Sequence, residues 1–269
     1  MVGAEPISAD LLRKFAQAFA PVGFQPHAFF PVYGLAEATV AVTFPRLLQS
    51  TRIDVIDRAR LERHGLATPC IPGAGALELV GVGSPIPRTE VRVIGDDGCP
   101  QPDQHVGEIV VRAPSVMLRY FDDRGATSEA LRGGWLRTGD RGYLDSSTLF
   151  VTGRKKDLII RAGHNLIPSV IEEVVAAVAG VRGGGVAAVG VRAAQDETER
   201  CHVVAETKFP AEHHPQLARD IRAALESRAI PIDALVFVRP GTLPKTSSGK
   251  IRRCAVAEAL ATGRALEAA

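Results

Sequence analysis

Apolar and polar positions along the chain switch between helical and strand periodicity. Residues 8–20 (SADLLRKFAQAFA) put Leu11, Leu12, Phe15 and Phe19 on one apolar stripe. Ser8 stands before them as a capping residue, so a helix is predicted there. Residues 28–44 are short apolar runs broken by a Tyr-Gly turn. From 77 to 112 the pattern is strand-like: ELVGVGSPI, EVRVIGDDG and GEIVVRAP each end at Gly, Pro or Asp. Residues 134–153 continue in the same way, with a turn at Asp145–Ser147, and the middle of the chain predicts a small antiparallel sheet or barrel.

The character changes after Gly153. A basic stretch, Arg154, Lys155 and Lys156, leads into the strand DLIIRAG. A helix is predicted over 168–179, with Pro168 in its first turn and Ile171, Val174, Val175 and Val178 on one face. Strands at 185–192, 201–209 and 235–239 and a helix at 215–228 complete an α+β unit. The domain boundary is placed close to Lys156, giving domains 1–155 and 156–269. The start is unusual: Met1 and Val2 run directly into Gly-Ala-Glu-Pro, like the turn after a strand whose body is missing.

Composition narrows the function classes. The 269 residues are 46% hydrophobic, as in a globular protein, and the formal charge of +2 gives no argument for nucleic acid or an acidic membrane surface. Cys70, Cys99, Cys201 and Cys254 lie far apart with no CxxC pair, which indicates neither a zinc site nor a disulfide framework. A reducing cytoplasm is the expected location. The most apolar window, 174–191, is broken by Gly180, Arg182 and a glycine triplet, so no membrane insertion is expected. Glu5 and Asp10 come early, and no basic-then-apolar signal sequence is present.

Four segments carry candidate chemistry. In GTLPKTSSGKIRR (241–253), small flexible residues surround Lys250, a compact charge suited to phosphate or carboxylate oxygens. A Walker A loop is excluded, because Pro244 stands where glycine is needed and Ile251 where Ser or Thr is needed. In GWLRTGD (134–140), Asp140 on a tight turn suits the two hydroxyls of a vicinal diol such as ribose. YGLAEAT (33–39) offers Tyr33 for stacking on a base and Glu37 for a hard cation. GRKKDLIIRAG (153–163) offers Arg154 to a hydroxyl or phosphate. Taken singly, each of the four also fits an ordinary solvated loop or turn. GGGVAA (183–188) follows a helix and opens a strand, the wrong order for a dinucleotide fingerprint, and reads as a connector. Trp135 reads as a packing residue that fixes the TGD turn.

In order, YG-x-x-E, G-E-I, GW-x-x-TGD, GR-x-K-D and PKTSSGK resemble the adenylate-forming superfamily of acyl-CoA synthetases, luciferases and peptide-synthetase adenylation domains. VGAEPIS, FFPVYGLAEATVAVTF, with Ala36 after the YGL turn, and LFVTGRKKDLIIRAGHNLIPSVIE look most like fatty acyl-AMP ligases. The resemblance implies an α/β and α+β multidomain fold. Its first part would be the remainder of a large N-terminal α/β plus β-barrel-like domain, and a small mobile α+β C-terminal domain would follow. It implies ATP and Mg²⁺ as cofactors and a fatty acid activated to an acyl-adenylate. The acyl group would pass to the pantetheine of an acyl carrier protein or polyketide synthase carrier domain. Coenzyme A as acceptor, and a non-catalytic regulatory remnant, are the alternatives.

Matched by position, Gly3, Ala4, Glu5 and Pro6 line the adenine pocket, with Tyr33 and Gly34 beside the base. Glu37 is the Mg²⁺ carboxylate, and Asp140 and Arg154 are ribose contacts. Lys156 is the hinge, Gly163 belongs to the acceptor-side loop, and Lys250 is the adenylation lysine. The family's Ser/Thr/Gly-rich phosphate loop has no counterpart before Tyr33. A separate N-terminal ligase half is therefore an expected partner. The region after Lys156 is expected to fold well, and the first 80 residues to be poorly stabilised alone.

Overall fold

A computed structural model describes residues 1–192, 196–264 and 266. The chain divides into two compact units, Met1–Lys155 and Lys156–Ala269.

Unit 1 runs α1 (Ala9–Phe19), β1 (Thr43–Phe44), β2 (Ile53–Asp57), α2 (Arg58–His64), β3 (Ala76–Val80), β4 (Ser84–Pro85), β5 (Glu90–Ile94), β6 (Gly107–Arg112), α3 (Arg124–Ala130), β7 (Leu131–Arg132), β8 (Trp135–Asp145) and β9 (Thr148–Arg154). The antiparallel pattern of the middle segment appears as a five-stranded sheet, β5-β6-β8-β7, with β9 also paired to β8. Ser146 and Ser147, both at positive φ, make the expected tight turn between β8 and β9. Directly across that hairpin, Tyr143 and Phe150 are fully buried and stack with centroids 4.9 Å apart. Ile109, Val111, Leu136 and Leu149 form a separate buried cluster with Tyr33, Ala38, Val42 and Val82.

Ser8 caps α1 by accepting from the Leu11 amide. The apolar stripe is nevertheless divided. Leu12 packs with Ala9 and Val80, whereas Leu11, Phe15 and Phe19 are exposed. Phe15 gathers Phe19, Phe24 and Phe29 into an aromatic cluster at the surface. Val2 bridges Pro31 in parallel, so the first residues pair with the chain entering the Tyr33 turn.

Unit 2 contains β10 (Ile159–Arg161), β11 (His164–Leu166), α4 (Pro168–Ala176), β12 (Val181–Val191), β13 (Arg200–Thr207), α5 (His214–Glu226), β14 (Ala234–Val238) and α6 (Arg253–Thr262). Its sheet has the order β12-β13-β14, antiparallel and then parallel, with α5 making the crossover that a parallel pair requires. The strands alternate cleanly. Val186, Ala188, Val203 and Ala205 face α4 and α5, while Ala187, Val189 and Val204 face Leu243 and Val256 of the α6 side.

Two sequence expectations are corrected in unit 2, and one helix is added. The helix predicted to 179 stops at Ala176, because the chain turns through Gly180, at φ 98°, into β12. Strand β12 begins at Val181, so the glycine triplet lies inside it rather than in a connector. Helix α6 was not foreseen: its alanine-rich sequence shows no strong stripe, and Val256 is its only buried residue.

Ile221 of α5 is fully buried in this sandwich. Ile221→Ala is expected to cost roughly 2–5 kcal/mol, read as a lower denaturant midpoint for unit 2. An unchanged midpoint would contradict the packing described.

Candidate functional site

The two candidate regions lie in different units. In unit 1, Asp140 and Arg154 are paired residues across β8 and β9. The Arg154 Nε donates to Asp140 Oδ1 at 3.0 Å, and the Tyr33 hydroxyl donates to Asp140 Oδ2 at 2.8 Å. Asp140 is 7% exposed, whereas the Arg154 side chain is about half exposed. The carboxylate is therefore fixed from beneath by Tyr33 while its second partner stands at the surface. The tight turn expected at Asp140 is not formed: Thr138–Asp140 lie inside β8, where the pairing with β6 shifts register between Glu108 and Val110 and Gly139 takes φ 70°. Thr138 ties this segment down, its hydroxyl donating to the Ile109 carbonyl and accepting from the Asp140 amide.

Tyr33 belongs to the buried core of this unit. Its backbone pairs with Thr43, closing the loop that carries YGLAEAT. Gly34 is required there because an added Cβ would fall 1.3 Å from the Val40 carbonyl oxygen. Thr39 and Val40 both sit at positive φ, a conformation that β-branched residues seldom adopt. Gly3 packs against Val32, where a Cβ would lie 2.8 Å from the carbonyl oxygen. Ala4, at φ 71°, Glu5 and Pro6 are exposed beyond it.

Glu37 is half-buried in the short turn Ala36–Ala38, and its Oε1 accepts from the Tyr120 hydroxyl at 2.8 Å. Its backbone carbonyl accepts from the Met117 amide, and the Thr39 hydroxyl donates to the Ser115 carbonyl. A cavity of about 470 Å³ opens beside Tyr120, lined also by Glu108, Arg137, Thr138 and Gly139. Among the described residues no group of three or more His, Cys, Asp or Glu could hold a metal by itself. A single carboxylate is nonetheless what Mg²⁺ asks of a protein when phosphate oxygens and water complete its shell. Glu37 fits that demand. Tyr120 was missed by the sequence reading: it stands 83 positions from Glu37, and no spacing rule joins them.

In unit 2, Lys156 is exposed in the turn Lys155–Asp157, and Gly163, at φ 77°, makes the turn of the β10–β11 hairpin. Lys250 is exposed on a tight loop. The Thr246 amide donates to the Lys250 carbonyl, and the Lys250 amide returns to the Thr246 hydroxyl. Just past the loop, Arg253 makes two hydrogen bonds to Glu172 and one to Asp157, which raise the pKa of its guanidinium further. The guanidinium carbons of Arg92 and Arg112 lie over the Trp135 ring, 4.6 and 4.7 Å from its centroid, a packing role at the start of β8.

Unit 1 thus holds a buried carboxylate beneath an exposed arginine and a half-buried glutamate bonded to Tyr120, and unit 2 by itself holds an exposed lysine on a glycine-turned loop. Residues 1–121 match the model of the AMP-binding enzyme family. The chain is 35% identical over 255 residues to a putative acyl-CoA synthetase of Caulobacter vibrioides, covering 94% of this chain and 44% of that protein. It is 34% identical over 278 residues to the long-chain-fatty-acid–AMP ligase FadD26 of Mycobacterium tuberculosis, covering 95% and 46%. Among solved structures, one from work on the fatty acyl-adenylate ligases of E. coli and L. pneumophila superposes with a TM-score of 0.88 at 33% identity, covering 97% of this chain and 47% of that one. The chain thus spans about half the length of the curated relatives it matches.

The chain has three tyrosines, and each hydroxyl donates to a carboxylate: Tyr33 to Asp140, Tyr120 to Glu37 and Tyr143 to Asp54. Burial, then the neighbouring carboxylate, raises all three, Tyr120 to about 12 and the other two further. A raised pKa favours the neutral phenol in the folded state, so this stabilisation is complete below the unfolded value of about 10 and is lost as pH rises through the folded values. Ultraviolet titration of the folded chain should show no phenolate near pH 10, with all three appearing there in denaturant. A tyrosine titrating normally in the folded chain would contradict the three contacts.

Proposed function

We propose that the chain is the nucleotide- and lysine-bearing part of a ligase that uses ATP to convert a fatty acid into an acyl-adenylate. The observation that carries this reading is the Tyr33–Asp140–Arg154 cluster, in which a buried carboxylate is held between a tyrosine hydroxyl and a surface arginine. Likeness to fatty acid–AMP ligases at one-third identity supports the substrate class.

In this reading Asp140 accepts from the ribose hydroxyls, for which an ionised carboxylate has enough lone pairs once Arg154 swings outward. Tyr33 keeps Asp140 oriented throughout. Gly3, Ala4, Glu5 and Pro6, with Gly34 and the Tyr33 edge, border the adenine. Mg²⁺, when bound, offsets phosphate charge, and Glu37 is the residue that would hold it. Lys250 places its ammonium against the fatty carboxylate and the α-phosphate, two anions that repel each other until a cation lies between them. The acyl group then passes to a carrier-protein pantetheine, with Gly163 on the acceptor side and Lys156 as the hinge residue. Coenzyme A is the second reading for the acceptor, favoured by the likeness to a putative acyl-CoA synthetase.

The test is acyl-adenylate formation by mass spectrometry with ATP, Mg²⁺ and a panel of fatty acids. It is run on this chain alone and with the remaining half of the adenylating fold supplied. Product in either arm is expected to vanish with Lys250→Ala and to fall about 100-fold or more with Asp140→Asn. Product unchanged in Lys250→Ala would overturn the assignment. Absence of product in both arms would favour a non-catalytic binding role, and a thioester formed on adding coenzyme A would select the second acceptor.

A further inference from the structure

The glycine triplet Gly183–Gly185 has no part in the adenylation reading, yet it interrupts β12, whose register on β13 shifts between Val181 and Val186. The glycines serve different needs. At Gly185 an added Cβ would lie 2.7 Å from Glu206 Oε2 and 2.9 Å from Glu206 Cβ. Gly184 has open space around it but sits at φ 66°. Only glycine accepts both conditions in succession without strain.

The space left at Gly185 is filled by the Glu206 carboxylate, whose residue is fully buried. Oε2 accepts from Arg182 Nη1 at 2.6 Å. Oε1 accepts from two backbone amides at the start of the lysine loop, Gly241 at 2.9 Å and Leu243 at 3.0 Å. Burial alone would raise this carboxyl; the two amides and Arg182 hold it below the usual range instead. The bulge makes a second contact with the same loop, the Lys245 ammonium donating to the Gly184 carbonyl at 2.9 Å.

Lys245 is well placed to control Lys250. Lys245 and Ile251 form an antiparallel bridge, and the Arg252 amide donates to the Pro244 carbonyl, closing the base of the Thr246–Lys250 turn. Beyond the turn, Arg253 is locked to Glu172, and Glu172 also accepts from the Ala188 amide of β12. The loop is therefore anchored on both sides of its tip, by β12 and β13 before it and by Glu172 of α4 after it, while residues 246–250 stay exposed.

We propose that the Gly184–Gly185 bulge and Glu206 form a dock for the loop, and that Lys245 is a positioning residue fixing the base from which Lys250 projects. The functional part of this rests on the adenylation role proposed for Lys250. The dock itself does not. An ammonium bound to a backbone carbonyl is replaceable by another cationic donor but not by a neutral chain of similar length.

The test is residue-resolved hydrogen exchange on the full chain. Lys245→Met should accelerate exchange of the Thr246, Gly249 and Lys250 amides about 10-fold, the local unlatching expected on losing one charged hydrogen bond. The amides of Val186–Val191 and Val203–Glu206 should keep their wild-type rates, and Lys245→Arg should restore loop protection. Unchanged loop exchange in Lys245→Met, acceleration throughout the sheet, or failure of arginine to restore protection would each overturn the dock. In an adenylate-forming preparation, Lys245→Met should lower kcat about 10-fold with the KM for ATP nearly unaltered. An unaltered kcat would remove the positioning role. If Lys250→Ala were inert, the adenylation reading would fall while the exchange result still decided the dock.

Discussion

A carboxylate taken out of water has to be met by donors, and in each unit one such group draws distant segments together. In unit 1 it is Asp140, which gathers Tyr33 from 107 positions away and Arg154 from the next strand. In unit 2 it is Glu206, which gathers Arg182 and the amides at the head of the lysine loop. Neither group adds apolar area, and an ion pair whose other half is exposed contributes little stability. What each supplies is location. Meeting each carboxylate brings segments distant in sequence to one place.

The same economy explains how the functional segments can be short and open. The TGD segment is a short irregularity within β8 and the tip of the PKTSSGK loop is exposed, so neither holds its shape by packing of large side chains. Thr138 and Gly139 obtain their geometry from the sheet they belong to. The lysine loop obtains its own from an internal turn and from anchors placed outside the exposed tip. Flexible chemistry is carried on rigid supports, which leaves a charged side chain mobile while the point from which it springs stays fixed.

Legibility in the sequence followed range. Ser8 as a cap, Pro168 in the first turn of α4 and the serine turn between β8 and β9 are set by neighbours, and were read correctly. The division of the α1 stripe was not readable, because periodicity identifies an apolar face without saying what covers it. Helix α6 was invisible because alanine gives no contrast between faces. The glycine triplet misled for another reason: glycine permits connectors and bulges equally, and the deciding partner, Glu206, lies in another strand. That acid stood in the open, however, as a charge closing the apolar run Val203–Ala205. A carboxylate in such a run must be neutralised or satisfied, so it was the local mark of the dock. Tyr120 carried no comparable mark.

The pair of arginines over Trp135 has an optical consequence. This is the only tryptophan in the chain, and two cationic groups lie over its ring in unit 1. Nearby charge and the loss of that cover both alter indole emission. The chain thus carries an intrinsic fluorescent reporter confined to the five-stranded sheet. Emission follows the melting of that unit, while far-ultraviolet dichroism follows both, so subtracting one signal from the other isolates the lysine-bearing unit without any attached dye.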